Sequence, residues 1–182
     1  SEAEEVAKRV KEIAKENADL AREVAKDIKR LADENKKHAD DVARDIERLA
    51  KELLEAARRG DAREEVAERA RRRAEELARR HREENKRSEE RARRLAEKAK
   101  RDNEKSREDI RRLLEDLKRK GAPERAEKLA RDAAEEAKKA AEESNKLIRE
   151  AAERLKEAAR RADKLVEEAA RRLEKAAEEA RR

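Results

Sequence analysis

The chain has 182 residues, of which 57% are charged and none is aromatic, and its formal net charge is +6. It contains no cysteine, which excludes disulfide bonds and thiolate metal sites, and it has no run of about 18 apolar residues that would predict a membrane span. Ala, Glu, Lys, Leu and Arg dominate, a composition typical of long helices or coiled coils, and only thirteen residue types occur at all.

Two glycines and one proline divide the chain into three segments of nearly equal length. Gly60 and Gly121 are the only glycines, and Pro123 is the only proline. A glycine just past a helix and a proline at the start of the next one are the expected signals for helix ends. They predict helix 1 over about 2–59, helix 2 over about 62–120 and helix 3 over about 123–181, each of about 58 residues.

Helix 1 is expected to begin with Ser1 and Glu4 as a capping box. Its inward positions follow steps of three and four that build an 18-residue repeat over five turns, the spacing of an α-helix. This regular spacing favours a helix over a disordered, highly charged chain. The inward positions are Val6, Val10, Ile13, Asn17, Leu20, Val24, Ile28, Leu31, Asn35, His38, Val42, Ile46, Leu49 and Leu53.

Helices 2 and 3 keep the same 18-residue repeat, for example at Leu77 and Leu95 and at Leu147 and Leu165. A heptad repeat would impose a left-handed supercoil, whereas a repeat that closes after five whole turns matches a straight helix. Short connections make neighbouring helices antiparallel. The sequence therefore predicts one all-α domain over 1–182, an elongated up-down-up antiparallel three-helix bundle with nearly straight helices.

Polar residues interrupt the apolar pattern at positions that face each other when helices 1 and 2 fold about Gly60. Facing residues then have numbers that add up to about 120. Three polar pairs satisfy this rule, namely Asn17 with Asn103, Asn35 with Asn85, and His38 with His81. They predict a first polar layer and a second polar layer. The first polar layer consists of Asn17, Asn103 and Ser106, and the second of Asn35, His38, His81, Asn85 and Ser88. Folding about Gly121 leaves the membership of Ser144 and Asn145 open.

Four interpretations of these layers differ in the chemistry that they need. A zinc site needs three or four ligands, and two histidines would require Asp41 or Glu84 from the rim of the layer. A nucleophilic site needs contact between nucleophile and base, but Ser88 and His81 are seven residues apart on one helix face. A facing histidine pair could respond to pH. The favoured interpretation is structural: hydrogen-bonded layers fix helix register in a bundle whose repeat permits slippage.

The surface gives no signal for a specific partner. The middle segment holds 23 basic and 17 acidic residues, yet no aromatic side chain is present to stack on bases, so we expect no specific nucleic-acid binding. The apolar faces are rich in alanine rather than in Trp, Phe or Leu anchors, so we expect no membrane binding. No partner is required, although an uncovered apolar edge would allow a homo-oligomer.

The 18-residue repeat, single-glycine connections, reduced alphabet and interrupting polar pairs together resemble computationally designed, parametric, untwisted three-helix bundles with buried hydrogen-bond networks. The resemblance covers the whole chain and carries no catalytic residue or cofactor. It implies a synthetic, soluble structural scaffold that is not an enzyme and that would stay in the cytoplasm of an expression host. The alternatives are a self-assembling oligomer module and a pH-responsive bundle.

Overall fold

Three long helices make up the chain in a computed structural model that describes residues 1–61 and 63–182. Helix α1 spans Glu2–Arg58, α2 spans Arg63–Arg119 and α3 spans Glu124–Arg181. They contain 57, 57 and 58 residues. The described ranges contain no strand, and the prediction of an all-α three-helix bundle is confirmed. The predicted start of helix 2, at residue 62, lies outside the described residues.

Glycine ends α1 and α2 because each helix closes with a residue of positive φ. Gly60 has φ of 77° and Gly121 has φ of 70°, and no other described residue has a positive φ. The Gly60 N–H donates to the Ala57 carbonyl at 3.2 Å, and the Asp61 N–H donates to the Ala56 carbonyl at 3.1 Å. This pair of bonds satisfies carbonyls that the last turn of a helix leaves without partners. A side chain at either glycine would be strained by the left-handed conformation.

The first helix begins with a side-chain cap. Ser1 Oγ accepts a hydrogen bond from the Glu4 N–H at 3.3 Å. Glu2, Glu4 and Glu5 place negative charge in the first turn, where the exposed N–H groups favour it. The predicted N-terminal cap therefore has a direct structural counterpart.

Packing divides the bundle into two compact units, and each helix contributes to both. Unit 1 comprises residues 1–29 and 92–153, and unit 2 comprises residues 30–91 and 154–182. The expectation of a single domain over 1–182 stays a prediction.

In unit 1, α1 is antiparallel to α2 and parallel to α3. At the start of α1, Glu2 accepts a hydrogen bond from Lys120 Nζ at 3.1 Å. Further along α1, Asn17 contacts Asn103, which stands earlier in α2. Residue numbers on α2 therefore fall as those on α1 rise. Part of the core of unit 1 consists of small side chains around Ala3, Leu117 and Ala130 and around Ala7, Val10, Ala133 and Ala137. The same unit also buries Ile13, Ile28 and Ile148.

In unit 2 the three helices have the same directions. Arg71 Nη2 donates to Glu174 of α3 at 2.8 Å, and Arg172 Nη1 donates to Glu47 of α1 at 2.6 Å. Each of these ion pairs has at least one exposed partner and adds little stability, so the apolar core carries the fold. Its largest fully buried apolar side chains are Ile46, Leu53, Leu155 and Leu173.

Several leucines that follow the repeat lie at the surface. Leu20 is 51% exposed, Leu129 is 46% exposed and Leu165 is 36% exposed. The prediction that Leu20 points inward is therefore wrong. Its facing position on α2 is Ala99, which is too small to cover a leucine at the edge of the stripe, and both residues line the same gap in unit 1. On α3 the buried positions next to these leucines are Ala130 and Val166.

Candidate functional site

The first polar layer lies in unit 1 and joins all three helices. Asn17 Nδ2 donates to Asn103 Oδ1 at 2.9 Å, and Asn103 Nδ2 donates to Asn145 Oδ1 at 3.4 Å. Asn17 is buried, so the bond to Asn103 replaces one that water would otherwise supply. The structure thus brings Asn145, which the sequence left open, into contact with the predicted pair.

The two serines near this layer do not join its hydrogen bonds. Ser144 is buried and Ser106 is partly buried. Ser106 lines an open cavity beside Asn17 and Asn103, and Ser144 lines a second gap on the other side. The layer therefore consists of three amide side chains, Asn17, Asn103 and Asn145, joined by two consecutive hydrogen bonds. The hydroxyl groups of Ser106 and Ser144 lie at its edges.

The second polar layer lies in unit 2. Within it, α1 contacts α2 through one hydrogen bond and one pair of stacked rings. Ser88 Oγ donates to Asn35 Oδ1 at 2.8 Å. The rings of His38 and His81 are stacked, with centroids 6.2 Å apart and an angle of 13° between their planes. Asn35 and His81 are each 2% exposed. The structure therefore brings the facing residues of helices 1 and 2 together, except that Asn35 bonds to Ser88 rather than to Asn85.

Asp163 of α3 completes the second polar layer, and sequence reasoning missed it. His81 Nε2 lies 3.0 Å from Asp163 Oδ1, and Asn85 Nδ2 donates to the same oxygen at 2.8 Å. Asn85 Nδ2 is also 3.5 Å from the Ala159 carbonyl. One carboxylate oxygen on α3 therefore holds two side chains of α2.

The repeat contains a signal that identifies Asp163. It stands one full repeat after Asn145, just as Asn35 stands one repeat after Asn17 and Asn85 stands one repeat before Asn103. In a chain that is 57% charged, an aspartate on a helix surface does not stand out by its residue type. Only the comparison of equivalent positions separates it from the other acidic residues.

The contacts of His81 determine where its proton lies. Asp163 Oδ1 can only accept, so the close approach of His81 Nε2 requires a proton on that nitrogen. Asn85 Nδ2, 3.3 Å from the same nitrogen, is also a donor and therefore bonds to Asp163 instead. This assigns the Nε2–H tautomer to neutral His81 and leaves its Nδ1 as an acceptor.

Burial lowers the pKa of His81 from its ordinary value of 6.5. The hydrogen bond to Asp163 and the negative charge of that residue oppose the shift, whereas His38 and Arg82 reinforce it. Burial has the largest effect, because the imidazole is almost fully enclosed and Asp163 is itself 51% exposed to solvent that screens its charge. The folded layer therefore favours neutral His81.

Four buried polar atoms of the second polar layer have no hydrogen-bond partner among the described residues: Asn35 Nδ2, His38 Nδ1, His81 Nδ1 and Asn85 Oδ1. A buried group without a partner costs about 1–3 kcal/mol. These four atoms are therefore the polar groups of the layer whose hydrogen-bonding capacity the described residues do not fill.

The geometry of the second polar layer does not assemble a catalytic triad. His81 contacts an aspartate, as a general base would, but the only hydroxyl of the layer, Ser88, donates to Asn35. A nucleophile must contact its base to be activated. Among the described residues, no group of three or more His, Asp or Glu side chains could hold a metal ion. The observed contacts are side-chain hydrogen bonds that connect α2 to α1 and to α3.

Comparison with known proteins agrees with the architecture. No protein-family model and no curated protein matches the chain. Among solved structures the chain is similar to a "Computationally designed three helix bundle", with a TM-score of 0.63 and 15% sequence identity over 98% of this chain and 90% of that chain. The fold is that of a three-helix bundle. No helix in the described part of the chain is long and apolar enough to cross a membrane.

Replacing Asp163 with alanine should destabilise the bundle more than replacing its repeat equivalent, Asn145. Asp163→Ala removes the acceptor of two short bonds from buried donors, whereas Asn145→Ala removes one bond of 3.4 Å. We expect a loss of about 1–2 kcal/mol for Asp163→Ala and under about 0.5 kcal/mol for Asn145→Ala, measured by urea unfolding at pH 7.5. Equal losses would contradict the central place of Asp163.

Proposed function

We propose that the chain is a designed structural scaffold with no natural biochemical activity, in which the two polar layers specify the register of the helices. The hydrogen bonds of α1 to α2, from Asn17 to Asn103 and from Ser88 to Asn35, carry this proposal. On α1 the two bonds involve repeat-equivalent positions, Asn17 and Asn35, within an otherwise apolar stripe. The similarity to a computationally designed bundle supports it at the level of the fold.

The apolar pattern alone would select this arrangement only weakly. A shift by one full repeat places Val, Ile and Leu positions on equivalent ones, so the apolar contacts change little. Such a shift keeps one asparagine pair, Asn17 with Asn85 or Asn35 with Asn103, but leaves the other asparagine of α1 without its partner, at a cost of about 1–3 kcal/mol for that amide. The correct arrangement avoids that cost, and its advantage grows with each layer that matches.

A distance measurement in unit 1 tests the assignment. Spin labels at the exposed positions Glu16 on α1 and Lys105 on α2 report the alignment of the two helices by pulsed electron resonance. The native chain should give one narrow distance. The variant Asn17→Leu, Asn103→Leu should be at least as stable, because two apolar side chains replace a polar pair, but should give a broader or second distance. A single unchanged distance would reject the assigned role of the layer.

A pH-responsive bundle is the second candidate function, and the stacked histidine pair favours it. His38 and His81 lie 6.2 Å apart within the only polar layer that contains imidazoles. The equivalent positions of the first polar layer are Leu20 and Ala99, so the sequence departs from its repeat to introduce the pair. The deciding measurement is the pH dependence of unfolding with and without these two imidazoles.

A self-assembling module is favoured by the exposed leucines. Leu20 and Leu129 are about half exposed in unit 1, and a contact between chains that covers an exposed leucine removes its apolar area from water. Light scattering at several concentrations tests this candidate. A multiple of the 21.1 kDa chain mass that falls to one chain in Leu129→Lys supports it, and one chain at all concentrations rejects it.

A further inference from the structure

A cavity of about 300 Å³ lies in unit 1 beside the first polar layer. All three helices contribute apolar walls to it. These walls are formed by Ile13, Ala14, Ile110, Leu114, Ala134, Ala137 and Ala141. The volume is at the lower end of the range for small-molecule sites, which typically combine apolar walls with a few polar groups.

The repeat explains why the cavity lies at this place. Ala137 is equivalent to Leu155 and Leu173, which stand one repeat and two repeats later in α3. Both leucines are buried, at 2% exposure each, and Ala137 is buried at 6%. The first third of α3 therefore has a methyl group where the rest of the helix has an isobutyl group. The cavity follows from this local departure from the repeat.

Hydrogen-bond donors and positive charge surround the apolar walls. The Ser106 hydroxyl is partly buried, lines the cavity and donates to no other described residue. Arg107 and Lys138 also line it and form no ion pair with the described residues, whereas Arg111 pairs with Glu108 and Glu115. Glu135 is the one carboxylate among the lining residues, so cations outnumber anions by three to one.

Asn17 marks the polar end of the cavity. It is 8% exposed, and its only side-chain hydrogen bond to a described residue is the one that Nδ2 donates to Asn103. Its Oδ1 can only accept a hydrogen bond, so it does not attract an anion. The Ser106 hydroxyl, which lines the same cavity, is the group at this end that can donate to one.

We propose that this cavity binds a compact apolar organic anion, such as an aromatic sulfonate or a short-chain carboxylate. The hydrocarbon body packs between Ile13, Ile110 and Ala137. The anionic group is held at the rim, where Arg107 and Lys138 offer charge without a competing carboxylate partner, and where the Ser106 hydroxyl donates. An organic cation would meet an excess of like charge at the same rim. A neutral ligand would gain the apolar contacts alone.

Fluorescence titration with 8-anilinonaphthalene-1-sulfonate tests the proposal on the intact chain. We expect saturable binding of one dye per chain, with Kd on the order of tens of micromolar. Ala137→Leu restores the side chain of the repeat and fills the cavity, so it should weaken binding at least about tenfold. Its helicity and unfolding midpoint should match or exceed those of the native chain, because a folded protein with fewer voids packs better.

Charge is tested with a matched pair of arginine variants and an uncharged dye. Arg107→Gln should raise Kd about threefold to fivefold, whereas Arg93→Gln, the same change at an exposed position of α2 away from the cavity, should not change it. N-phenyl-1-naphthylamine, which lacks the sulfonate, should bind more weakly and should not distinguish the two variants.

Three results would overturn the proposal: native affinity in Ala137→Leu, equal affinities of the two arginine variants for the sulfonate, or binding of the uncharged dye as tight as that of the anion. If Ala137→Leu lowers helicity, the variant Ala134→Leu is used instead. Ala134 is a partly buried residue of the cavity wall, so a leucine there fills the cavity with less strain from overpacking. Retained dye affinity in a fully helical Ala134→Leu chain would then reject the site.

Discussion

Lowering the pH from 7.5 to 5.5 is expected to reduce the free energy of unfolding of the native chain more than that of the variant His38→Leu, His81→Ala. Positions 38 and 81 are one repeat away from Leu20 and Ala99. The variant therefore removes both imidazoles and replaces them with the residue types that the chain already has at the equivalent positions. The expected difference is on the order of 1 kcal/mol.

The sign of this effect follows from the lowered pKa of His81. Burial lowers that pKa below the ordinary value of 6.5, so between the two values the unfolded chain binds more protons than the folded one. Acid therefore favours unfolding. The contribution of His81 to stability is fully present above about pH 6.5 and is lost as the pH falls through the folded pKa.

The surroundings of His81 limit the size of the loss. Asp163 of α3 attracts the proton, whereas His38 of α1 and Arg82 of α2 repel it. Protonation also places a proton on His81 Nδ1, which has no partner among the described residues. Asp163 can moderate the cost of the charge, but it contacts only the other nitrogen.

Urea unfolding followed by circular dichroism is the appropriate measurement, because the chain has no aromatic residue to report fluorescence. The range from pH 7.5 to 5.5 keeps most carboxylates ionised, so the histidines dominate the difference between the two proteins. Identical losses in native chain and variant would reject the pH-responsive candidate. A larger loss in the variant would contradict the assigned direction of the pKa shift.

The sequence predicts the fold well because the helix ends and the row of apolar positions are each determined by nearby residues. Gly60 and Gly121 end helices since only glycine takes a positive φ without strain. The short connection at Gly60 then restricts how α1 can face α2, which is why residue numbers alone predict the contact of Asn17 with Asn103. These inferences need no knowledge of side-chain packing.

The position of α3 could not be predicted by the same rule. Folding about Gly121 places Asn145 opposite residue 97, yet Asn145 contacts Asn103, somewhat more than one and a half turns away. A rule based on residue numbers fixes neither the rotation of a third helix nor its shift along two others. Asp163 is missed because its signal is its equivalence to Asn145, and the facing rule leaves the membership of Asn145 open.

Asn35→Asp is expected to have the largest effect of a single substitution in the second polar layer. Asn35 is 2% exposed, and it accepts one hydrogen bond, from Ser88. The substitution replaces the amide nitrogen and its two hydrogens with an oxygen, so the shape is nearly unchanged while a charge is buried. We expect a loss of about 3–5 kcal/mol at pH 7.5, the cost typical of an uncompensated buried charge.

Asn35→Leu is the matched control for the loss of the amide. It removes the bond to Ser88, worth about 1 kcal/mol, but buries apolar area where the Asn35 Nδ2 group has no partner. We therefore expect it to change the unfolding free energy by less than about 1 kcal/mol. A loss in Asn35→Leu as large as that in Asn35→Asp would show that the amide contact, and not the buried charge, controls stability here.

The pH dependence of Asn35→Asp should oppose that of the histidines. Burial raises the pKa of a carboxyl group, because it disfavours the charged form. The folded variant then binds more protons than its unfolded chain above the ordinary carboxyl pKa, so its stability should recover as the pH falls through the raised value. Repeating the comparison in the background of His38→Leu, His81→Ala removes any pairing of protonated imidazole with the new carboxylate. Recovery toward the native stability at low pH in that background would identify the buried charge as the cause, whereas a constant loss at every pH would identify a steric cause.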